Sequence, residues 1–152
     1  MPSVQDKAKE AVIRNTCKEA VLASLHPRTS VNVILQEVED FGGQLACSIN
    51  AACLALMDAS VSMKHLFAGV CCCVDSSGSI TVDPTKKQIS KSEASITFVF
   101  DSRNRDVLAT HMEGRCSEEN FKKCLALSKE AVDSVFTFYR ESVKRKFSKE
   151  FA

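Results

Sequence analysis

The sequence predicts an α+β domain, and three features of it lead there. A nearly uninterrupted run of small and apolar residues, Gln44 to Ala59, reads as a buried helix. Four short β-branched or apolar runs cluster between Leu66 and Gly114. A long amphipathic pattern then fills the C-terminal part. The predicted order is helix, strand, helix, four strands, helix, with the small-residue helix laid against a sheet. The 152 residues suffice for one domain with a real core.

The first helix is predicted over Val4–Leu25, with apolar residues at Val12, Ile13, Cys17, Val21 and Leu25 on one face. Pro27 in "HPRTS" stops it. Ser30–Val38 is apolar or β-branched on both alternating faces, and this predicts a strand covered on both sides. "EDFGG" is a turn into the small-residue helix, whose main polar exception is Asn50. Leu66–Val74 reads as a strand. "DSSG" is its hairpin turn and "SITVD" the return. "PTKKQISKSE" reads as a polar loop. "ASITFVFD" and "DVLATHMEG" are two further strands joined by "SRNR". Ser117 is placed to cap the last helix, with Glu118 and Glu119 in its first turn. Its buried stripe is predicted at Phe121, Cys124/Leu125, Leu127/Ser128, Ala131/Val132, Val135/Phe136 and Tyr139, and its basic end at "KRKFSK".

Composition excludes several classes. With 20 basic and 19 acidic residues the net charge is +1, which gives no bulk attraction for nucleic acid. No apolar run reaches membrane-spanning length, and "MPSVQDKAKEAV" lacks the apolar segment of a secretory leader. The eight cysteines include no C-x-x-C pair and face no matching histidine pair, so no zinc site is expected. Most lie in apolar runs, as reduced core residues of a cytosolic or nuclear protein. Cys116 and Cys124 sit in more polar surroundings and read as more accessible. His26, His65 and His111 stand apart at element edges. No G-x-S-x-G, Walker-type loop or H-E-x-x-H is present.

Several separate stretches, "IRNTC", "LHPRTS", "INAAC", "DPTKKQ" and "VFTFYRES" among them, resemble the RNase PH family, and within it the members of the RNA exosome ring. The likeness runs from about Lys7 to Lys149. It implies the RNase PH-like (ribosomal protein S5 domain 2-like) fold, a mixed sheet packed by helices, as a single domain over residues 1–152. In that family strands precede the first helix. Met1 stands almost on that helix here, so the resemblance implies the C-terminal portion of the fold, with an uncovered apolar face and poor stability in isolation.

Active relatives cleave RNA 3′ ends with phosphate as the attacking group. They hold it on a G-G-T-R-T-A pattern at a helix start. The matching positions are Gly42, Gly43, Gln44, Leu45 and Ala46: the glycines remain, while glutamine and leucine replace threonine and arginine. The metal-holding D-L-x-x-E-E-D pattern falls on "DPTKKQI". Asp83 takes the first acidic position and Ile89 the last, and one carboxylate beside Lys86 and Lys87 is a poor divalent site. The resemblance therefore implies a non-catalytic ring subunit with no cofactor and no metal. Its expected partners are other RNase PH-like ring subunits, S1/KH cap subunits and channel RNA, in nucleus, nucleolus and cytoplasm. Arg14, Arg28, Arg103 and Arg105 are candidate RNA contacts. Two alternatives stand beside this: a metal-dependent hydrolytic nuclease using Asp83 with Arg14, and a chain that never assembles.

Overall fold

The computed structural model describes residues 4–150, apart from the side chains of residues 4, 5, 147, 149 and 150. Four helices and four strands follow in order: α1 (Val4–Ala20), α2 (Gln44–Asp58), β1 (Phe67–Val74), β2 (Ile80–Val82), α3 (Lys86–Ile89), β3 (Ala94–Asp101), β4 (Val107–Gly114) and α4 (Glu118–Glu150). The strands form one sheet in the order β2-β1-β3-β4, antiparallel throughout. The expected mixed pairing is absent among the described residues. β1–β2 and β3–β4 are joined by short turns that reverse the chain, and β3 returns beside β1 in the antiparallel sense.

Alternation divides the sheet into two faces. Even-numbered residues of β1 and β3 face α4, where the Phe98 ring meets Phe121 edge-on at 5.3 Å between centroids. Odd-numbered residues of β1 face α2. At Gly69 the helix comes so close that an added Cβ would lie 3.1 Å from Ala46 Cα. The small residues of α2 serve this approach, as predicted. The buried row of α4 also follows the predicted stripe, through Cys124, Ser128, Val132, Phe136 and Tyr139, but Leu127 is exposed. Cys124 is fully buried, contrary to its polar sequence surroundings. On the inner face of α4 it sits beside Cys72 of β1, and burial pushes its thiol up. Ser117 Oγ accepts from the Asn120 amide, the cap the sequence suggested. Phe147 and Lys149 of the basic end lie outside the described side chains.

β1 carries an unusual edge. β2 pairs with it only over Cys72–Val74. The same edge continues past Cys71, Gly69 and Phe67 with no strand beside it, yet its polar groups are met. The Asp83 amide donates to the Cys71 carbonyl at 2.9 Å. The Asn50 side chain brackets Gly69, donating to its carbonyl at 3.0 Å and accepting from its amide at 2.7 Å. The Tyr139 hydroxyl lies 2.9 Å from Asn50 Oδ1 and 3.3 Å from the Phe67 carbonyl. Three non-strand groups thus finish the strand.

Two expectations are corrected. Helix α1 stops at Ala20 rather than Leu25. Val21 instead bridges Met63, and a single 3-10 turn covers Ala23–Leu25. Ser30–Val38 forms no strand and is not covered on both faces: Val33 packs against the core, while Ile34 is 90% and Val38 95% exposed. The pattern suits a strand, but a strand needs a neighbour, and no described residue supplies one. The "PTKKQISKSE" loop, in turn, contains one helical turn, α3. The amide and hydroxyl of Thr85 both donate to Gln88 Oε1 at its start.

Candidate functional site

The corner where α2 begins is the only place that gathers the sequence-predicted phosphate and metal positions. Gly42 (φ +120°) and Gly43 (φ +60°) turn the chain into the helix. A Cβ at Gly42 would stand 2.5 Å from the Pro84 carbonyl, so only glycine lets the segment after β2 come this near. Gly43 lies next to Cys71 and Asp83. Asp83 itself has φ +54°, and its amide is spent on the β1 edge. The glycines, Gln44, Leu45, Asp83 and Ile89 are thus brought together at one corner.

What fills the corner is different chemistry. Leu45 is 4% exposed and belongs to the hydrophobic core. Gln44 Nε2 donates to Glu37. Asp40 Oδ1 accepts from the Gly42 amide at 3.0 Å, and Lys86 Nζ lies 2.8 Å from Asp40 Oδ2. The Lys86 ammonium, then the Gly42 amide, hold the Asp40 carboxyl below the usual carboxylate range. A negative charge of the protein's own therefore already sits where the helix dipole favours an anion.

The rest of the corner is floored by the odd face of the sheet beyond α2. Cys71, Thr97 and His111 stand side by side on β1, β3 and β4, with Ser95 opposite Glu113 one step further. His111 Nε2 is 3.2 Å and Lys9 Nζ 3.5 Å from Glu113 Oε1. Burial works against the Glu113 charge, but these two partners keep its carboxyl below the usual range. The cavity between floor and helix is about 270 Å³. Sequence inspection missed Lys9 and Glu113, and it read His111 as standing apart at an element edge, whereas it lies in the middle of β4 beside Glu113. The i, i+2 spacing of His111 and Glu113 on a strand was a readable sign of one shared face. No group of three or more metal-ligating side chains occurs among the described residues.

The candidate RNA arginines scatter, and three of the four are engaged. Arg14 pairs with Glu10 one turn earlier on α1. Arg103 donates to the Lys64 carbonyl. Arg105 bonds Asp133 at 2.6 Å and stacks 4.5 Å over the Phe136 ring, pinning the β3–β4 turn to α4. Arg28, at φ +56°, has no recorded partner among the described residues. His65 lies 3.3 Å from the Leu66 carbonyl.

A helix entered through two glycines lies here against an antiparallel sheet, with the segment after β2 packed at its start. Residues 1–62 match the 3′ exoribonuclease family, domain 1, and residues 65–131 match domain 2 of that family. The chain belongs to this RNase PH family. It is 31% identical over 163 residues to the exosome complex exonuclease RRP46 homolog of Arabidopsis thaliana, an alignment covering 95% of this chain and 67% of that protein. The crystal structure of rice (Oryza sativa) Rrp46 matches with a TM-score of 0.89 at 30% identity, over 95% of this chain and 68% of the rice chain. The C. elegans cell-death-related nuclease 5 (CRN-5) matches with a TM-score of 0.65 at 28% identity, over 72% and 60% of the two chains. The chain spans about two thirds of the length of its plant relatives. Among the described residues no helix is long and apolar enough to cross a membrane.

Proposed function

We propose that this chain is a non-catalytic, structural member of the RNA exosome ring. In this role it packs against other RNase PH-like subunits, with S1/KH cap subunits above, around a channel that leads RNA to a separate nuclease. Processing of rRNA and turnover of mRNA, in nucleus, nucleolus and cytoplasm, follow from membership of that assembly.

One observation carries the non-catalytic part: the phosphate corner is closed from within. Leu45 points into the core, and Asp40 occupies the helix start with Lys86 as its counter-charge. Glu113 is held between Lys9 and His111. Phosphorolysis needs an anion grip and a metal, and neither has a free set of groups here.

The test is phosphate-dependent release of nucleoside diphosphates from a labelled RNA 3′ end by the ring reconstituted with this chain. No release is expected from this subunit. Leu45→Arg is expected to add none, because Ile89 leaves the metal side without its carboxylate. Phosphorolysis by that single variant sinks the reading. Co-purification with the other ring subunits checks the structural role.

The likeness to a protein named as a nuclease favours a second reading, metal-dependent hydrolysis through the exposed Asp83. It requires cleavage that appears with added Mg²⁺ or Mn²⁺ and disappears in Asp83→Asn.

A further inference from the structure

Cys72, Cys124 and Ser128 lie together under α4, each 0% exposed, and neither the corner nor the closing of the β1 edge uses them. Alternation turns only Cys72 of the Cys71–Cys73 run toward α4, and its two neighbours face the other way. Cys72 pairs with Val82 on one side and Ile96 on the other, so it sits inside the sheet rather than at its rim. Helix α4 crosses β1 in the opposite sense, anchored where the Tyr139 hydroxyl lies 3.3 Å from the Phe67 carbonyl. From that anchor the helix runs back about 22 Å to Cys124, and the strand runs on about 17 Å to Cys72, so both paths end in the same place. The two thiols stand there within hydrogen-bond reach of each other. The Cys72 thiol also donates to the Ile96 carbonyl at 3.5 Å. Ser128, one turn on from Cys124, stands beside Cys72 as well, and its buried Oγ makes no hydrogen bond among the described residues.

Two thiols from different elements, held face to face with a spare hydroxyl beside them, are the parts of a disulfide site. We propose that Cys72 and Cys124 are an oxidative modification site, which hydrogen peroxide or another small hydroperoxide converts to a disulfide that staples α4 to the middle of the sheet. The bridge closes a loop of about 50 residues, long enough for a cross-link to restrict the unfolded chain strongly.

The thiolate is the reacting form of cysteine, and burial pushes both thiols up, so the closed pair reacts more slowly than the exposed Cys47. Ser128 Oγ is free to donate to a Cys72 thiolate, which makes Cys72 the attacking group. Its sulfur attacks one peroxide oxygen and the O–O bond breaks. The leaving hydroxide takes up the thiol proton as water, and Cys72 becomes a sulfenic acid. The Cys124 sulfur then attacks the Cys72 sulfur, the S–O bond breaks, and the departing oxygen leaves as a second water with the Cys124 proton. Two electrons pass from the sulfurs to the peroxide, and both thiol protons end in water.

The test treats the purified chain with hydrogen peroxide, alkylates the remaining thiols and digests the monomer band of a non-reducing gel with trypsin. Cys124 is the only cysteine of peptide 124–129, and Cys72 lies in peptide 65–86 with Cys71 and Cys73. Mass spectrometry is expected to find these two peptides joined, after Cys47 has been oxidised. Cys72→Ala and Cys124→Ala are expected to abolish the joined peptide, while Cys71→Ala and Cys73→Ala keep it. The linked protein is expected to unfold about 10 °C above the reduced one, and dithiothreitol returns it to the reduced midpoint. Cys47 fully oxidised with no joined peptide overturns the proposal. So does a link that survives Cys72→Ala or is lost in Cys71→Ala or Cys73→Ala, or a linked protein whose midpoint does not rise. The wild type and the Cys71 and Cys73 variants decide the matter even where Cys72→Ala or Cys124→Ala fails to fold.

Discussion

Replacing Asn50 with alanine is expected to remove about 3–4 kcal/mol of folding free energy, the largest loss from any single polar group here. Asn50 is a polar residue on a helix that is otherwise small and apolar. Its amide group does for Gly69 what a neighbouring strand would do, donating to the carbonyl at 3.0 Å and accepting from the amide at 2.7 Å. It also receives the Tyr139 hydroxyl at 2.9 Å. Alanine leaves the Gly69 carbonyl and amide without their partner and the Tyr139 hydroxyl with the Phe67 carbonyl alone, and each unmet backbone group costs about 1–3 kcal/mol. Tyr139→Phe removes only the hydroxyl and leaves Gly69 satisfied, so about 1 kcal/mol is expected. Urea unfolding checks both: the midpoints should fall in that order with the slope unchanged. A loss below about 1 kcal/mol for Asn50→Ala would show that the amide is not the edge's closing group.

Gly69→Val is expected to cost about 3 kcal/mol, seen as a fall of about 10 °C in the unfolding midpoint. The first carbon of the new side chain would meet Ala46 Cα at 3.1 Å, the Ala46 carbonyl oxygen at 3.3 Å and Ile49 Cβ at 3.4 Å. Two of those three atoms belong to helix backbone, which cannot swing aside as a side chain does. The valine methyls then lift α2 from the sheet, and with it the bonds of Asn50 to the same glycine. Gly69→Ala stops at the first carbon, so α2 shifts by tenths of an ångström and about 1–2 kcal/mol is lost. Because both sites act on one residue pair, the Asn50→Ala, Gly69→Val double variant should lose less than the sum. Additive losses would show that α2 keeps its position over the valine.

The elements with strong internal pattern were legible in the sequence. The apolar helix, the hairpin at "DSSG" and the long amphipathic helix each carry their own signal, and each forms. Ser30–Val38 carried an equally clear alternating signal and forms no strand. Periodicity reports what a segment can pair with, and the partner is a separate fact. The helix at Lys86–Ile89 is a single turn, too short for periodicity, though its Thr85 and Gln88 were a readable capping pair. At the site, the sequence showed leucine at position 45 and isoleucine at position 89, where the family resemblance implies an arginine and a carboxylate. The closure by Asp40, Lys86, Lys9 and Glu113 was not, because these residues come from four different elements and meet only in the fold. Of the four arginines, only Arg14 announced its partner, through Glu10 one turn before it. Asn50 stood out as polar in an apolar helix, but Tyr139, its partner, lies 89 residues away.

The edge of β1 also sets an order of events during synthesis. β1, α2 and the Asp83 amide are all made well before the residue that finishes the edge. Tyr139 lies 72 residues beyond the Phe67 carbonyl it reaches. A ribosome that has released only the four strands therefore presents a sheet whose first strand is still open beside Asn50, with the even face bare of α4. The first strand is sealed only once Tyr139 has been made and α4 has folded onto the sheet.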